Sequence, residues 1–376
     1  MTADHLSELS LAALFEPLSL GPLRLANRVV MAPMTRQRSP GGVPGPDVVA
    51  YYARRAAGGV GLIITEGTTV DDPAASPHAA IPLFHGCGLS GWNNVRIAVQ
   101  AAGGKIMPQL WHLGISRRAE VSPRPDAPSI SPSGLLRPGR TVGEPMTEGR
   151  IAEVIEAFAR GARSAMDMGF DGVELHGAHG YLIDQFFWEG TNQRQDAWGG
   201  DPDRRTRFGS EIVRAVRAAT SPDYPIVLRW SQWKMGDYEI RLTPDPNSLE
   251  RFLAPFVEAG VTAFHCSTRR FWEPEFPESG SHLNLAGWTR RLTGLPTITV
   301  GSVGLSRADS RETRMDTVET SAEHLSALAG ALERGEFDLV ALGRALLANP
   351  EWPNLVKEGR FSELRAYGAH ALEELI

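Results

Sequence analysis

Residues Gly169 to Glu189 read GFDGVELHGAHGYLIDQFFWE, and the way this stretch folds decides the fold of the chain. Gly169 closes an amphipathic run in which Ile151, Val154, Ile155, Phe158, Ala162, Ala165 and Met166 recur at the helical period, with Thr147 as its expected N-cap. The short apolar run Val173–His176 (VELH) comes next and reads as a buried strand. That strand delivers two imidazoles, His176 and His179, followed at once by the phenol of Tyr181. Gly172, Gly177 and Gly180 stand where a side chain would hinder tight turning or close approach. Two imidazoles can donate hydrogen bonds to one developing oxyanion, and a neighbouring phenol can supply a proton. A His-x-x-His pair is also common as hydrogen-bonded structure alone. It is no zincin motif, because that arrangement needs a helix and an intervening glutamate.

Working outward, the same alternation repeats. Apolar runs occur at Val29–Met34, Val60–Thr65, Ile106–Trp111, Ile226–Trp230, Ala263–Ser267, Thr297–Val300 and Leu339–Leu342. Helical patterns lie between them, among them Arg207–Ala219, Leu249–Ala259 and Ala322–Arg334. Runs apolar on both faces suit parallel strands. Eight of them alternating with helices predict an α/β chain, a single (β/α)8 TIM barrel spanning residues 1–376. A doubly wound open sheet is the rival, but it commonly has fewer strands, and no G-x-G-x-x-G opens a helix after the first strand. Two stretches exceed the minimal unit. The proline-rich His112–Met146 would lie over the barrel mouth after strand three, so residues 113–146 are expected to form a lid. The second, Trp233–Asn247, reads as a loop after strand five.

Composition narrows the classes. The 376 residues carry a net charge of −6, which argues against a nucleic-acid or anionic-membrane surface. Cys87 and Cys266 are too few for a disulfide scaffold or a four-cysteine metal or iron–sulfur site. The N-terminus lacks a basic segment followed by an apolar run, and no apolar run reaches the length of a membrane span. A cytoplasmic enzyme of small molecules, with a homodimer left open, is the expectation. Lysine occurs only at Lys105, Lys234 and Lys357, leaving few candidates for Schiff-base chemistry.

In a barrel the reacting groups come from the C-terminal ends of the strands. Those ends present Pro33 and Thr35, then Gly67, then Gln109 and Trp111, then the two histidines, then Arg229. Gly301, Ser302 and Gly304 after strand seven, with Gly343 and Arg344 after strand eight, would offer backbone N–H groups and a guanidinium to a phosphate. An ordinary turn and a surface ion pair are the plainer alternatives. Between phosphate and histidines, Gln109, Thr35 and Arg229 would line a space with an amide, a hydroxyl and a cation, which suits a flavin ring.

These pieces together resemble the Old Yellow Enzyme family of flavin-dependent NAD(P)H oxidoreductases. The resemblance rests on Leu14–Arg36, Gly58–Val70, Gly104–Gly114, Gly169–Phe187, the NQRQDAWGG block Asn192–Gly200, and the segments ITVGSVGL and LVALGRALLANP, in family order. It implies non-covalent FMN, with Pro33, Thr35, Gly67, Gln109 and Arg229 at the ring and Gly301, Ser302, Gly343 and Arg344 at the phosphate. It implies NAD(P)H as reductant, His176 and His179 gripping a substrate carbonyl, and Tyr181 as proton donor in reducing the C=C bond of an α,β-unsaturated carbonyl compound. The chain departs from the family pattern at Trp198, where tyrosine is usual. Trp111, Trp188, Phe271 and Trp272, with Trp230–Trp233 (WSQW), suggest loops of unusual aromatic bulk around the substrate. Larger relatives append an iron–sulfur half, for which this sequence has neither the length nor the cysteines. The alternatives are an FMN-dependent oxidative demethylase or C–N oxidoreductase on the same barrel, and a flavin-free lyase or isomerase whose best lysine is Lys234.

Overall fold

The computed structural model describes residues 11–306 and 317–376; the first ten residues, read above as lacking a secretion signal, lie outside them. The eight apolar runs all form strands: β1 (Val29–Met31), β2 (Leu62–Thr69), β3 (Lys105–Trp111), β4 (Val173–His179), β5 (Ile226–Lys234), β6 (Ala263–Ser267), β7 (Thr297–Val300) and β8 (Leu339–Leu342). Each pairs in parallel with the next, and β8 returns to β1, closing the barrel. Parallel neighbours need long crossovers, and helices supply them: α1 (Pro46–Ala57), α2 (Gly88–Ala101), α3 (Glu148–Met168), α4 (Pro202–Ala219), α5 (Pro246–Ala259), α6 (Leu285–Thr293) and α7 (Ala322–Glu333). Two short helices, Arg344–Ala348 and Trp352–Lys357, follow β8. The chain is a (β/α)8 barrel.

The period-two alternation of a strand splits the core in two. Val29, Met31, Leu175, Leu228 and Phe264 pack outward with the helices in one buried cluster. Val30, Leu62, Ile64, Met107, Val227, Ala263, Ile298 and Leu339 form a second cluster inside the barrel. An antiparallel hairpin, Leu18–Leu20 with Leu23–Leu25, adds Leu20, Leu23 and Leu25 to that inner cluster and plugs the end where the strands begin.

Several boundaries differ from the sequence reading, each for a local reason. Helices α4 and α5 start at Pro202 and Pro246, not at Arg207 and Leu249, because Asp201 and Asp245 accept the backbone N–H groups of Arg204 and Ser248 and cap the helices one residue before a proline. Thr147 caps α3 as expected, accepting from the Arg150 backbone N–H at 3.1 Å. Strand β5 runs on through Lys234, so Trp230–Trp233 is strand and not loop; the Trp230 ring is fully buried against Phe252 of α5. Strand β4 likewise continues past His176 to His179.

Residues 113–146 carry short 3-10 turns and small strand pairs. Ser122 Oγ donates to the carbonyl of Ser76 at 2.9 Å, and Ser116 Oγ donates to the carbonyl of Gly180 at 3.1 Å. The insertion is thus tied to the loop after β2 and to the turn after β4. Among the described residues no helix is long and apolar enough to cross a membrane, and no group of three or more His, Cys, Asp or Glu could hold a metal ion.

Candidate active site

At the end where the strands finish, Pro33, Thr35, Gly67, Gln109, Trp111, His176, His179, Tyr181, Arg229 and Met235 line one cavity of about 180 Å³. Strand β1 ends just before Pro33, so Thr35 reaches the cavity from a loop. Gly67 is required by close approach: a Cβ there would lie 2.6 Å from the Trp111 ring. Trp111 in turn stacks at 19° on His176, with ring centroids 6.0 Å apart, and meets Tyr181 edge-on at 4.9 Å. His176 and His179 are perpendicular to one another at 5.1 Å.

The turn that carries these rings is held from every side. A register shift in the β4–β5 pairing falls between Gly177 and His179, and His179 sits at φ +66°, a conformation uncommon for any residue but glycine. Asp184 accepts the Gly180 N–H at 2.6 Å and the Lys234 ammonium at 2.7 Å. The His179 backbone N–H donates to Ser231 Oγ at 3.1 Å. So much restraint on a strained residue marks a site where orientation matters. Lys234, the lysine considered for Schiff-base chemistry, is buried in this ion pair and does not line the cavity.

Around Gln109 lies a buried polar layer in which Glu174 and His265 are not anticipated from the sequence. Glu174 is fully buried; one of its oxygens accepts from Gln109 Nε2 at 2.7 Å, the other meets His265 Nδ1 at 2.6 Å. An acidic residue in the middle of an apolar strand was the available signal. Glu66, adjacent to Gly67, accepts the backbone N–H groups of Arg36 and Gln37 at 2.9 and 3.3 Å, and its other oxygen is buried without a partner. Burial pushes its carboxyl up to about 7.

Electrostatics sort the protonation states. Burial, with the Arg229 charge next in importance, pushes both His176 and His179 well below the ordinary imidazole value, so both rings are neutral at physiological pH. Burial raises Tyr181 to about 12, keeping its phenol protonated. The cavity therefore offers neutral N–H donors and a phenolic proton beside one fixed cation.

Not every residue singled out in the sequence faces this cavity. Trp188 lines a separate surface cleft with Arg205 and Arg251. Phe271 and Trp272 line another with His282 and Phe337, where Trp272 stacks on His324. At the other side of the mouth, Arg344 donates to Ser302 Oγ at 3.4 Å. Gly301 stands at φ +148°, where a Cβ would strike Thr268. Gly343 lies beside Met34, next to Thr35.

Comparison with known proteins places the chain in a family. Residues 13–363 match the NADH:flavin oxidoreductase / NADH oxidase family. The chain belongs to this family. An NADH oxidase of Thermoanaerobacter brockii is 36% identical over 365 residues, covering 94% of this chain but 52% of the relative, so the chain spans about half the length of that protein. The 12-oxophytodienoate reductase 7 of Oryza sativa subsp. japonica is 34% identical over 359 residues, covering 90% of this chain and 86% of the relative. Among solved structures, morphinone reductase in complex with tetrahydroNAD is 28% identical with a TM-score of 0.78, covering 96% of this chain and 93% of that one. As a member of the Old Yellow Enzyme family the protein is an FMN-dependent oxidoreductase. The residues present fit that cofactor: Arg229 is buried with its Nε unpartnered, an amide and a hydroxyl share its cavity, and Arg344 with Ser302 stands at the adjoining strand ends.

Proposed function

We propose that the protein reduces the C=C bond of α,β-unsaturated carbonyl compounds with reducing equivalents from NADH or NADPH. The observation that carries this reading is the neutral imidazole pair facing one cavity with a phenol held in its protonated form. His176 and His179 would take the substrate's carbonyl oxygen between two N–H donors and stabilise the negative charge that develops there. Tyr181, whose ring centroid is 4.9 Å from that of His176, would give its proton to the α-carbon. Bound FMN would supply the hydride chemistry between nicotinamide and substrate. Gln109, Thr35, Pro33, Gly67 and Arg229 would hold the flavin ring, and Gly301, Ser302, Gly343 and Arg344 its phosphate. The names of two relatives, reductases of 12-oxophytodienoate and of morphinone, denote ketones and support a carbonyl-bearing substrate. We infer further that residues 113–146 cover the mouth.

Rapid mixing tests the assignment by separating the two halves of the reaction. Tyr181→Phe is expected to slow enone reduction by about 10² to 10⁴ while leaving flavin reduction by NADH nearly unchanged. Equal losses in both halves would remove Tyr181 from the proton-donor role. In the double variant His176→Ala/His179→Ala, a phenol should no longer produce a long-wavelength absorbance band. An unchanged phenol titration would contradict the oxygen-binding role of the pair.

A further inference from the structure

Ser267, the last residue of β6, is largely buried and lies outside the lining of the central cavity, at the edge of a neighbouring cleft that it shares with Trp233 and Tyr238. Its hydroxyl oxygen is 2.8 Å from His179 Nε2 and 3.4 Å from an Arg229 guanidinium nitrogen. A guanidinium can only donate, so Ser267 Oγ accepts from Arg229. The hydroxyl has one proton, and His179 Nε2 is its other partner within reach. A ring nitrogen that accepts a hydrogen bond carries no proton, and in a neutral imidazole the proton then resides on Nδ1.

We infer that Ser267 is a positioning residue that fixes His179 as its Nδ1–H tautomer, a role that rests on the proposed reading of the histidine pair as oxygen donors. The relay runs from Arg229 N–H to Ser267 Oγ, and from the Ser267 O–H to His179 Nε2, so that Nδ1–H is the nitrogen left to donate. With the opposite tautomer Ser267 Oγ would face two N–H donors, and its own proton would have no acceptor among its described protein partners, which is costly. Trp233 reinforces the arrangement. Its ring stacks on His179 at 4.5 Å and 21°, and its Nε1 donates to the Ser267 carbonyl at 3.1 Å. His176 is held in the complementary sense: its Nδ1 accepts the Ala178 N–H at 3.4 Å, placing its proton on Nε2. One ring thus donates through Nε2 and the other through Nδ1.

The test is long-range ¹H–¹⁵N correlation on the FMN-loaded protein labelled with ¹⁵N-histidine, with the His179 signals assigned by their loss in His179→Asn. Wild type should show a protonated Nδ1 and an unprotonated Nε2. Ser267→Ala should move the proton to Nε2 or mix the forms, and Ser267→Thr should restore the wild-type pattern. In parallel, p-hydroxybenzaldehyde should bind Ser267→Ala about five- to tenfold more weakly, as expected for one lost hydrogen bond. A wild-type His179 protonated on Nε2, or a Ser267→Ala protein that keeps Nδ1–H, overturns the inference. If Ser267→Ala does not fold, the wild-type tautomer decides alone. A wild type with Nδ1–H that binds no phenol refutes the oxygen-donor reading instead, which keeps the two failures distinct.

Discussion

The two ends of the barrel interior are built from the same strands and from residues only two positions apart, yet they are chemically opposite. Met107, Val227 and Ala263 face one another in the apolar plug near the hairpin. Two residues further along those strands stand Gln109, Arg229 and His265, all buried. The lower layer is the kind of packing that stabilises a fold. The upper layer buries an acid, a guanidinium and several imidazoles, which desolvation penalises unless each finds a partner. The difference teaches that this barrel draws its stability from one end and exposes its chemistry at the other. Substitutions should therefore separate the two properties cleanly.

The largest stability effect is expected at Met107, whose thioether methyl occupies the space above Gly172, 2.6 Å from where a Cβ on that glycine would lie. Met107→Ala should destabilise the protein by about 2–5 kcal/mol, read by urea unfolding, while phenol and FMN affinities in the surviving folded fraction stay near wild type. A variant that kept its stability but lost its ligands would break the division between the layers.

The next effect comes from Glu66 at the polar end. Its carboxyl is raised from 4.5 to about 7 by burial, so between those values the native state binds more protons than the unfolded chain. Stability from this group is complete below about 4.5 and is lost as the pH rises through about 7. The loss is on the order of 3 kcal/mol at most. Glu66→Gln removes the titration, so unfolding experiments between pH 5 and pH 8 should show the variant gaining on wild type as the pH rises. Parallel curves for the two proteins would mean that Glu66 is already compensated in the fold.

The apolar layer was more legible in the sequence than the polar one. All eight strands announced themselves as apolar runs, because an interior closed on both faces tolerates little else. Where polarity entered, the reading stopped short. Ser231 and Gln232 made Trp230–Trp233 look like a loop, although β5 continues through them and carries the Ser231 hydroxyl that accepts from His179. Glu174, His265 and Ser267 carry no signal of their pairing in the sequence because their partners come from other strands: sequence distance conceals that Glu174 and Gln109 are neighbours across β4 and β3. The aromatic residues Trp188, Phe271 and Trp272 share bulk in the sequence, but their placement in separate clefts depends on loop packing that bulk alone does not encode.

Arg229 sharpens the comparison from the other side. Its guanidinium is buried with Nε unpartnered, and burial lowers its pKa. A buried charge with an incomplete set of partners carries a desolvation cost that an apolar side chain of similar size does not. Arg229→Met should leave the melting temperature of the FMN-free protein unchanged or higher, while FMN binding, followed by flavin fluorescence, weakens by roughly 10- to 100-fold. A large fall in apoprotein stability would show that the cation also holds the barrel together.

The smallest effect is expected where the 113–146 insertion meets the turn after β4. Ser116 Oγ and Gln185 Nε2 both donate to the Gly180 carbonyl, at 3.1 and 2.8 Å, and Asp184 separately holds the Gly180 N–H. Ser116→Ala leaves the carbonyl satisfied by Gln185, so no buried acceptor is orphaned. The cost should be about 0.5–1.5 kcal/mol in stability, with phenol affinity changed less than about threefold. Ser267 differs because the hydrogen bond it gives to His179 has no understudy. If Ser116→Ala weakened phenol binding as much as Ser267→Ala, the insertion and not the strand-four turn would be setting the position of His179 and Tyr181.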